Sequence, residues 1–416
     1  MNKNSLHLKT DFNIISKNLT LDLQKTLTNK NMAISNFNFY NPVRIVFGKG
    51  EISKLGELIP KGIKVMMTYG GGSIKKNGVY DQVIKALAGY DIIEFGGIEP
   101  NPKVETLRKA IEIGKKENIG FLLPVGGGSV IDGTKLIAAA ICIDNDPWDI
   151  LTGKAKVNKA IPIGTVLTLP ATGSEMNAGS VISNIATQEK FAFHSTHVMP
   201  KFSILDPETC YSLPDIQIAN GIIDAFIHVM EQYMTYPVNA QINDRFSEAI
   251  LQTLIEVGPK ALADKTNYEH MSNYKWSATV ALNGLNGTGV QTYWATHQIG
   301  HEITAFHGVD HGQTLAIVLP GVMSVMREGK KDKILQFGAR IFGITAGTEQ
   351  EKIDETIGKM DSFFRQMGVN TKLSEYGIGE ETIEKIVDRF AKRGYNMGER
   401  ADISPEKLRE ILINRL

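Results

Sequence analysis

The chain has 416 residues, more than the ~250–300 at which a single hydrophobic core stops growing, so one small domain is excluded and two domains of roughly 200 residues each are expected. Hydrophobic residues make up 42% and charged residues 22%, the balance of a folded globular chain and not of a disordered or fibrous one. Basic and acidic side chains number 45 each, so no global charge would attract nucleic acid or an anionic membrane.

The first 35 residues carry no recognisable targeting signal. Residues 1–31 contain six Asn and five Lys but no Arg and no long apolar stretch, which argues against a secretory signal and a transit peptide. We expect residues 1–35 to be a poorly ordered extension, or a start codon assigned upstream of Met32. The two cysteines, Cys142 and Cys210, form no C-x-x-C motif, and together with the lack of a membrane-spanning run they favour a reducing cytoplasm.

From residue 36 to 208, short apolar runs alternate with segments of helical period, the βαβ pattern of a mostly parallel sheet. The predicted strands cover 63–69, 91–95, 119–125, 161–169 and 202–205, and predicted helices start near 78, 104 and 129. After Pro214 the β pattern is lost, and helices are predicted at 216–234, 240–264, 270–285, 290–306 and 312–326. We therefore expect an α/β domain over 36–208 and an all-helical domain over 209–416.

Two Gly-Gly-Gly-Ser turns, at 70–73 and 126–129, each connect a predicted strand to a helix. Missing β-carbons let a backbone approach a ligand closely, and free N–H groups at a helix start favour phosphate. One such turn could equally be a structural connection, but two at successive strand ends favour a dinucleotide crevice. Neither follows the G-x-G-x-x-G pattern. The polar turn 168–175 also ends a strand and could line the same crevice.

Six of the nine histidines lie between residues 228 and 311. Three pairs of side chains are four residues apart and so share a helix face: Asp224 with His228, His297 with His301, and His307 with His311. A lone helical histidine is usually structural, but a carboxylate with several imidazoles is the ligand set of a zinc or iron site. Residue 298 is Gln, so the His-Glu-x-x-His motif of zinc proteases is absent.

On one continuous helix, His297 and His311 would lie ~21 Å apart and could not share an ion. We therefore expect the chain to break at Gly308 and Asp310, so that His311 begins a second helix close to the site. The adjoining Gly312 leaves room for that approach.

Several motifs together resemble one family. They are Phe47-Gly48-Lys49-Gly50, the two glycine turns, Thr168 to Glu175, Leu205-Asp206-Pro207, Asp224-Ala225-Phe226-Ile227-His228, and the block containing His297, His301 and His311-Gly312. From about residue 36 onward the chain resembles the iron-containing (group III) metal-dependent alcohol dehydrogenases, in the branch of butanol dehydrogenases and NADPH-dependent aldehyde reductases. The resemblance implies a Rossmann-like dinucleotide-binding domain followed by an all-α metal-binding domain, as in dehydroquinate synthase.

The resemblance also implies roles for individual residues. The implied metal ligands are Asp224, His228, His297 and His311, with His301 near the metal but not bound to it. We expect His301 either to be catalytic, by hydrogen-bonding the substrate oxygen, or only to brace a neighbouring ligand. The implied cofactor contacts are phosphate contacts from Gly71, Gly72, Ser73, Gly127, Gly128 and Ser129, ribose or nicotinamide contacts from Asn101, Asp132 and Thr168, and a contact from Lys190. Relatives that use NADH carry an Asp where this chain has Gly71, and Ser73, Lys75 and Lys76 lie nearby. We therefore expect no acidic side chain at the adenosine end, and NADP(H) as the cofactor.

The resemblance implies an enzyme that interconverts primary alcohols, such as butanol, and aldehydes by hydride transfer, using NADP(H) and one Fe²⁺ or Zn²⁺ ion. We expect a cytoplasmic homodimer that acts on small molecules and binds neither nucleic acid nor membrane. Two alternatives remain. One is a dehydroquinate-synthase-like lyase that uses NAD transiently, although that group is expected to hold its metal through one Glu and two His. The other is a non-enzymatic protein that binds metal or nucleotide.

Overall fold

The computed structural model describes residues 33–394 and 396–416, so most of the predicted extension, residues 1–32, lies outside the described residues. The strands are β1 Arg44–Phe47, β2 Lys64–Thr68, β3 Asp91–Phe95, β4 Phe121–Gly127, β5 Gly164–Leu169, β6 Gly179–Asn184, β7 Glu189–His194 and β8 Phe202–Leu205. Six of them form a sheet in the order β1-β8-β5-β4-β2-β3, in which every neighbouring pair is parallel. β6 and β7 form a separate antiparallel hairpin.

Helices cover both faces of the parallel sheet. They are α1 Leu55–Leu58, α2 Val79–Ala86, α3 Val104–Lys116, α4 Gly128–Ala140 and α5 Trp148–Leu151. One face packs Met66 and Leu122 against α3 and α4, and the other packs Val65 and Met67 against α1 and α2. Because both faces are covered, the central strand β4 is buried along nearly its whole length and reads as a continuous apolar run.

The rest of the described chain is helical. The helices are α6 Asp215–Tyr233, α7 Gln241–Ala263, α8 Tyr268–Ala281, α9 Ala295–His307, α10 His311–Val325, α11 Arg327–Phe342, α12 Glu349–Gln366, α13 Glu380–Arg393 and α14 Pro405–Ile413. α6 lies at the centre, with Phe226 packed among three phenylalanine rings and fifteen of its nineteen residues buried. A helix buried on nearly all sides positions its polar side chains rigidly.

The expected fold class is confirmed: a parallel-sheet α/β part precedes an all-helical part. The sequence did not predict β1 or the β6–β7 hairpin. In β6 every second residue is only half-buried, and several of its residues are small or polar, so the segment has no apolar run. The helix expected from residue 290 begins at Ala295, because Trp294 adopts a left-handed conformation just before it.

The described part of the N-terminal segment lies against the helical part. The Ser35 N–H donates to the Gly289 carbonyl at 2.9 Å, and the Asn41 amide donates to the carbonyls of Met176 and Asn283. Among the described residues, no helix is both long enough and apolar enough to cross a membrane.

Candidate active site

A buried carboxylate on α6 is surrounded by imidazoles. Asp224 and His228 are 3% and 4% exposed, and the i, i+4 spacing places both on one face of the helix. Asp224 Oδ1 lies 3.5 Å from His228 Nδ1, 3.8 Å from His297 Nε2 and 3.7 Å from His311 Nε2. The His228 ring stacks on His297 with centroids 4.6 Å apart. The three histidines that the resemblance implied as ligands therefore all lie around the Asp224 carboxylate.

The predicted break between the two histidine-bearing helices is present. α9 ends at Gly308, whose φ of +71° lies in the left-handed region that favours glycine, and α10 starts at His311. A β-carbon on Gly312 would lie 2.5 Å from the Asn220 carbonyl oxygen of α6. Glycine at 312 thus lets α10 approach α6 closely, which brings His311 to within 5.3 Å of His297, measured between ring centroids.

The donor set fits a divalent cation. The ligand atoms of Asp224, His297 and His311 all lie within 4.8 Å of one another. Asp224 Oδ1 and His297 Nε2 are buried without a hydrogen-bond partner, and 3.8 Å is too long for a hydrogen bond between them. Two ligands of a tetrahedral ion at ~2.1 Å lie about 3.4 Å apart. The spacing is therefore that of ligands around an ion.

A carboxylate that the sequence analysis did not single out orients one of these imidazoles. Glu231 Oε1 accepts from the His297 backbone N–H at 3.0 Å and lies 3.2 Å from His297 Nδ1. Nδ1 must carry the proton to donate to this carboxylate, so the lone pair of Nε2 faces Asp224. Glu231 follows His228 by three residues and shares its helix face; that spacing is the signal that could have identified it.

Burial and neighbouring charges set the ionisation of the site. Burial lowers the pKa of His228 to about 4, although the charge of Asp224 opposes this. For His297, burial lowers the pKa, but the nearby Asp224 carboxylate and the hydrogen bond to Glu231 outweigh it, and the net direction is up. For Asp224, burial raises the pKa, but the charges of His228 and His297 outweigh it and the net direction is down. The carboxylate is thus ionised and His228 is neutral near pH 7, as metal ligands must be.

His301 lies one turn beyond His297 on α9 and is half-buried. Its ring centroid is 5.1 Å from that of His311 and 6.4 Å from that of His297. Burial, and then the positive charge of Lys190, lower its pKa well below the usual value. A neutral imidazole therefore borders the cluster around Asp224.

The two glycine turns use their glycines differently. At the first turn, β-carbons on Gly71 and Gly72 would meet nothing within 4 Å, Gly72 has a φ of +89°, and Ser73 begins a short helical turn. At the second turn, a β-carbon on Gly127 would lie 2.9 Å from Leu169 Cβ, and one on Gly128 would lie 2.3 Å from Thr172 Oγ1. The second turn is thus packed against the polar turn 168–175, and the first opens to its surroundings.

The second turn still presents free backbone donors. α4 begins at Gly128 with no side-chain cap, so its first N–H groups remain available to a phosphate. Ser129 Oγ accepts from the Asn101 N–H at 3.3 Å, and the Lys190 ammonium on β7 donates to Asn101 Oδ1 at 2.9 Å. Burial lowers the pKa of Lys190 to about 8, against the charges of Asp224 and Asp132. These contacts link the second turn to the histidine cluster.

Two further predicted cofactor residues line the carboxyl edge of the sheet and are nearly buried. Thr168 and Asp132 are each 8% exposed. Both Asp132 oxygens have partners inside the protein, since one accepts from the Ser174 hydroxyl at 2.5 Å and the other from the Val181 N–H at 3.0 Å. In this structure Asp132 fixes the β6–β7 hairpin to α4.

An unexpected acidic side chain lies beside the first turn. The sequence analysis expected no carboxylate at the adenosine end, but Glu94 of β3 accepts a hydrogen bond from Lys75, which follows the turn, at 2.8 Å. The ends of β2 and β3 are joined directly there, because the Gly97 N–H donates to the Gly70 carbonyl at 2.9 Å.

Two family models and several known proteins are similar to this chain. Residues 42–207 match the family model of iron-containing alcohol dehydrogenase, and residues 218–415 match the C-terminal model of the same family. The chain is 53% identical over 382 residues to the NADPH-dependent aldehyde reductase YqhD of Escherichia coli K12, covering 91% of this chain and 99% of that one.

Solved structures show the same similarity. The crystal structure of E. coli K-12 YqhD superposes with a TM-score of 0.91 at 52% identity, covering 92% of this chain and 100% of that one. The NADH-dependent butanol dehydrogenase A of Thermotoga maritima gives a TM-score of 0.89 at 38% identity, covering 92% and 99%.

Proposed function

The chain belongs to the iron-containing alcohol dehydrogenase family and is an oxidoreductase that interconverts alcohols and aldehydes. We propose that it reduces small aldehydes to primary alcohols with NADPH at a divalent metal ion. The observation that carries the proposal is the buried Asp224 oxygen with three imidazole nitrogens within 3.8 Å. Similarity to an enzyme named as an NADPH-dependent aldehyde reductase supports the choice of cofactor and substrate.

The proposed metal ligands are the carboxylate and the three imidazoles around it: Asp224, His228, His297 and His311. When bound, the ion (Fe²⁺ or Zn²⁺) supplies a Lewis acid for the carbonyl oxygen, and the nicotinamide supplies the hydride. Glu231 holds the proton on His297 Nδ1 and thereby keeps Nε2 free for the site.

The proposed cofactor contacts lie along the carboxyl edge of the parallel sheet, where such folds bind dinucleotides. They are Gly71, Gly72 and Ser73 at the first turn, Gly127, Gly128 and Ser129 at the second, and Asn101, Asp132, Thr168 and Lys190 between the second turn and the histidines. Lys190 is placed by its bond to Asn101 and influences the pKa of both His301 and His311. A cofactor bound along this edge would therefore end beside the histidine cluster.

We propose that His301 acts on the substrate and not on the ion. The four proposed ligands would already hold the ion, and a catalytic site must leave a position open for substrate. His301 borders that point as a neutral imidazole. Its proposed role is to hydrogen-bond the substrate oxygen and relay a proton to it during aldehyde reduction: one ring nitrogen gives its proton to the oxygen while the other takes a proton from water.

Two alternatives make different predictions for one assay. A lyase that uses a nicotinamide transiently returns the cofactor unchanged, and a binding protein turns over nothing. An aldehyde reductase consumes one NADPH for each aldehyde reduced. Adding butyraldehyde to the metal-loaded protein with NADPH should therefore give continuous, stoichiometric loss of NADPH and formation of butanol. Metal content without net NADPH consumption would overturn the proposal.

We also propose that the chain forms a homodimer in the cytoplasm. Exposed aromatic side chains lie at the end of the edge strand β1, in the segment before it and on α8: Phe37, Phe39, Tyr40, Phe47 and Trp276. Phe47 contacts Trp276 edge-on at 6.1 Å beside a groove of about 300 Å³. A concentrated apolar surface of this kind is typical of a protein interface. Sedimentation of the unaltered protein should give twice the chain mass, and Phe47→Asp should shift the equilibrium toward monomer. If the unaltered protein sediments as a monomer, the proposal is contradicted.

A further inference from the structure

Three side chains beside the first glycine turn share one carboxylate, that of Glu94. Glu94 Oε2 accepts from the Lys75 ammonium at 2.8 Å and from the Tyr69 hydroxyl at 2.9 Å, and Glu94 Oε1 accepts from the Tyr80 hydroxyl at 2.5 Å. The Lys75 ammonium also lies 5.0 Å from the centre of the Tyr69 ring and 4.7 Å from that of Tyr80. Three donors from three chain segments therefore converge on Glu94.

The position of this carboxylate is significant in a dinucleotide-binding sheet. In such folds the strand that follows the glycine turn ends in an acidic residue about 20 residues further on, and this residue binds the ribose 2′-hydroxyl. Glu94 lies near the end of β3, the strand that follows the turn, and pairs in register with Met67 of β2. By topology, Glu94 stands where a carboxylate would favour a 2′-hydroxyl and repel a 2′-phosphate.

The surrounding donors remove that effect. Burial raises the pKa of Glu94, but the hydrogen bonds from Lys75, Tyr80 and Tyr69 outweigh it, so the carboxylate is ionised. The hydrogen bond to Glu94 raises the pKa of Lys75, which is therefore charged. The pair carries no net charge, and three of the roughly four acceptor positions of the carboxylate are occupied. Neither a free carboxylate nor a free ammonium is left beside the turn.

We propose that the Lys75–Glu94 pair determines specificity, with Lys75 covering a carboxylate that would otherwise select the 2′-hydroxyl form of the cofactor. This inference rests on the proposed use of NADP(H) and adds its physical cause. Gly71 leaves open space in the turn, and Lys75 neutralises the charge of Glu94. The absence of an Asp in the turn therefore does not by itself explain a preference for NADP(H).

The two partners can be removed one at a time. Glu94→Gln keeps the shape and leaves the Lys75 ammonium unpaired, so the preference for a 2′-phosphate should rise. Lys75→Met exposes the Glu94 carboxylate, so the preference should fall. A unit charge ~6 Å from a phosphate at the protein surface is worth on the order of fivefold in affinity. We expect a change of about fivefold or more in each direction.

The probes are adenosine 5′-monophosphate and adenosine 2′,5′-bisphosphate, which differ only in the 2′-phosphate. Their dissociation constants are measured by calorimetry on the full-length, metal-loaded protein, and the ratio is the readout. Lys64→Met is the matched control, because Lys64 pairs with Glu117 at 3.0 Å at the opposite end of β2. Its ratio should stay within about twofold of the unaltered protein.

Opposite shifts of the ratio in the two variants support the inference. Unchanged ratios in both, with or without a loss of thermal stability, would show that the cluster only fixes the turn to β3 and would overturn it. The ratio of the unaltered protein tests the separate proposal. A protein that binds both probes equally would refute the NADP(H) preference, while the direction of the two shifts would still decide the role of Lys75.

Discussion

Glu231→Gln is expected to weaken metal binding while the protein stays folded. The substitution keeps the size of the side chain and an oxygen near His297 Nδ1, but it removes the negative charge that fixes the tautomer of His297. Glu231 is 1% exposed, so water does not replace the lost charge. Without it, Nδ1–H is held only by a neutral acceptor, and the proton can shift to Nε2, where it blocks the metal.

The size of the effect follows from the geometry. Two hydrogen bonds, at 3.0 and 3.2 Å, reach the same Glu231 oxygen from His297. Removal of a carboxylate that supports a ligating histidine typically costs 10–100-fold in metal affinity, or about 1.4–2.7 kcal/mol. The loss should be larger for Glu231→Leu, which removes the acceptor as well as the charge.

The assay is competition for Zn²⁺ against a chelator of known affinity, with the melting temperature recorded for each variant. Glu302→Gln is the matched control, because Glu302 is also a buried carboxylate, lies on the histidine-bearing helix α9, and pairs with Arg389 and Arg393. The control should lose stability and keep its metal affinity. Equal metal affinity in Glu231→Gln and the unaltered protein would refute the role assigned to Glu231.

Three further outcomes are expected. Gly71→Asp has open space for its side chain and should lower the kcat/KM ratio of NADPH over NADH at least ~10-fold, because the new carboxylate repels the 2′-phosphate. Steady-state kinetics with both cofactors measures this ratio, and an unchanged ratio contradicts the prediction. Gly128→Ala places a methyl against Thr172 and should cost ~1–3 kcal/mol in denaturant unfolding, with weaker NADPH binding. His301→Ala should keep its metal while kcat falls ~10²–10⁴-fold, whereas His297→Ala should lose the metal; the reverse pattern would exchange their roles.

The sequence predicted the structure best where the geometry depends on residues that are close together in the chain. The i, i+4 spacing of Asp224 and His228 required only that α6 be a helix. One continuous helix would have held His297 and His311 too far apart to share an ion, which predicted a break between them. Gly308 ends α9 at that break. The buried strand β4 is a short apolar run that ends in glycines, which is typical of a strand in a sheet covered on both faces.

Other features depend on contacts between distant segments. Glu231 and Glu94 are two of 45 acidic residues. Glu231 becomes distinctive only when α9 packs on α6, and Glu94 only when Lys75 packs on β3. The hairpin that carries Lys190 was missed because β6 is stabilised by Asp132 of α4 and not by an apolar run of its own. The glycines of the second turn suggested a ligand, yet Gly128 also makes room for Thr172.

The central claim is that aldehyde reduction depends on a metal ion held by the cluster around Asp224. The most direct test is to strip the metal with a chelator, add back Fe²⁺ or Zn²⁺ anaerobically, and measure bound metal and butyraldehyde-dependent NADPH consumption in the unaltered protein and in Asp224→Ala. We predict that the stripped protein is inactive and recovers with one equivalent of metal, and that Asp224→Ala stays folded but neither holds metal nor recovers. Full turnover by metal-free protein, or stoichiometric metal with normal activity in Asp224→Ala, would contradict the account.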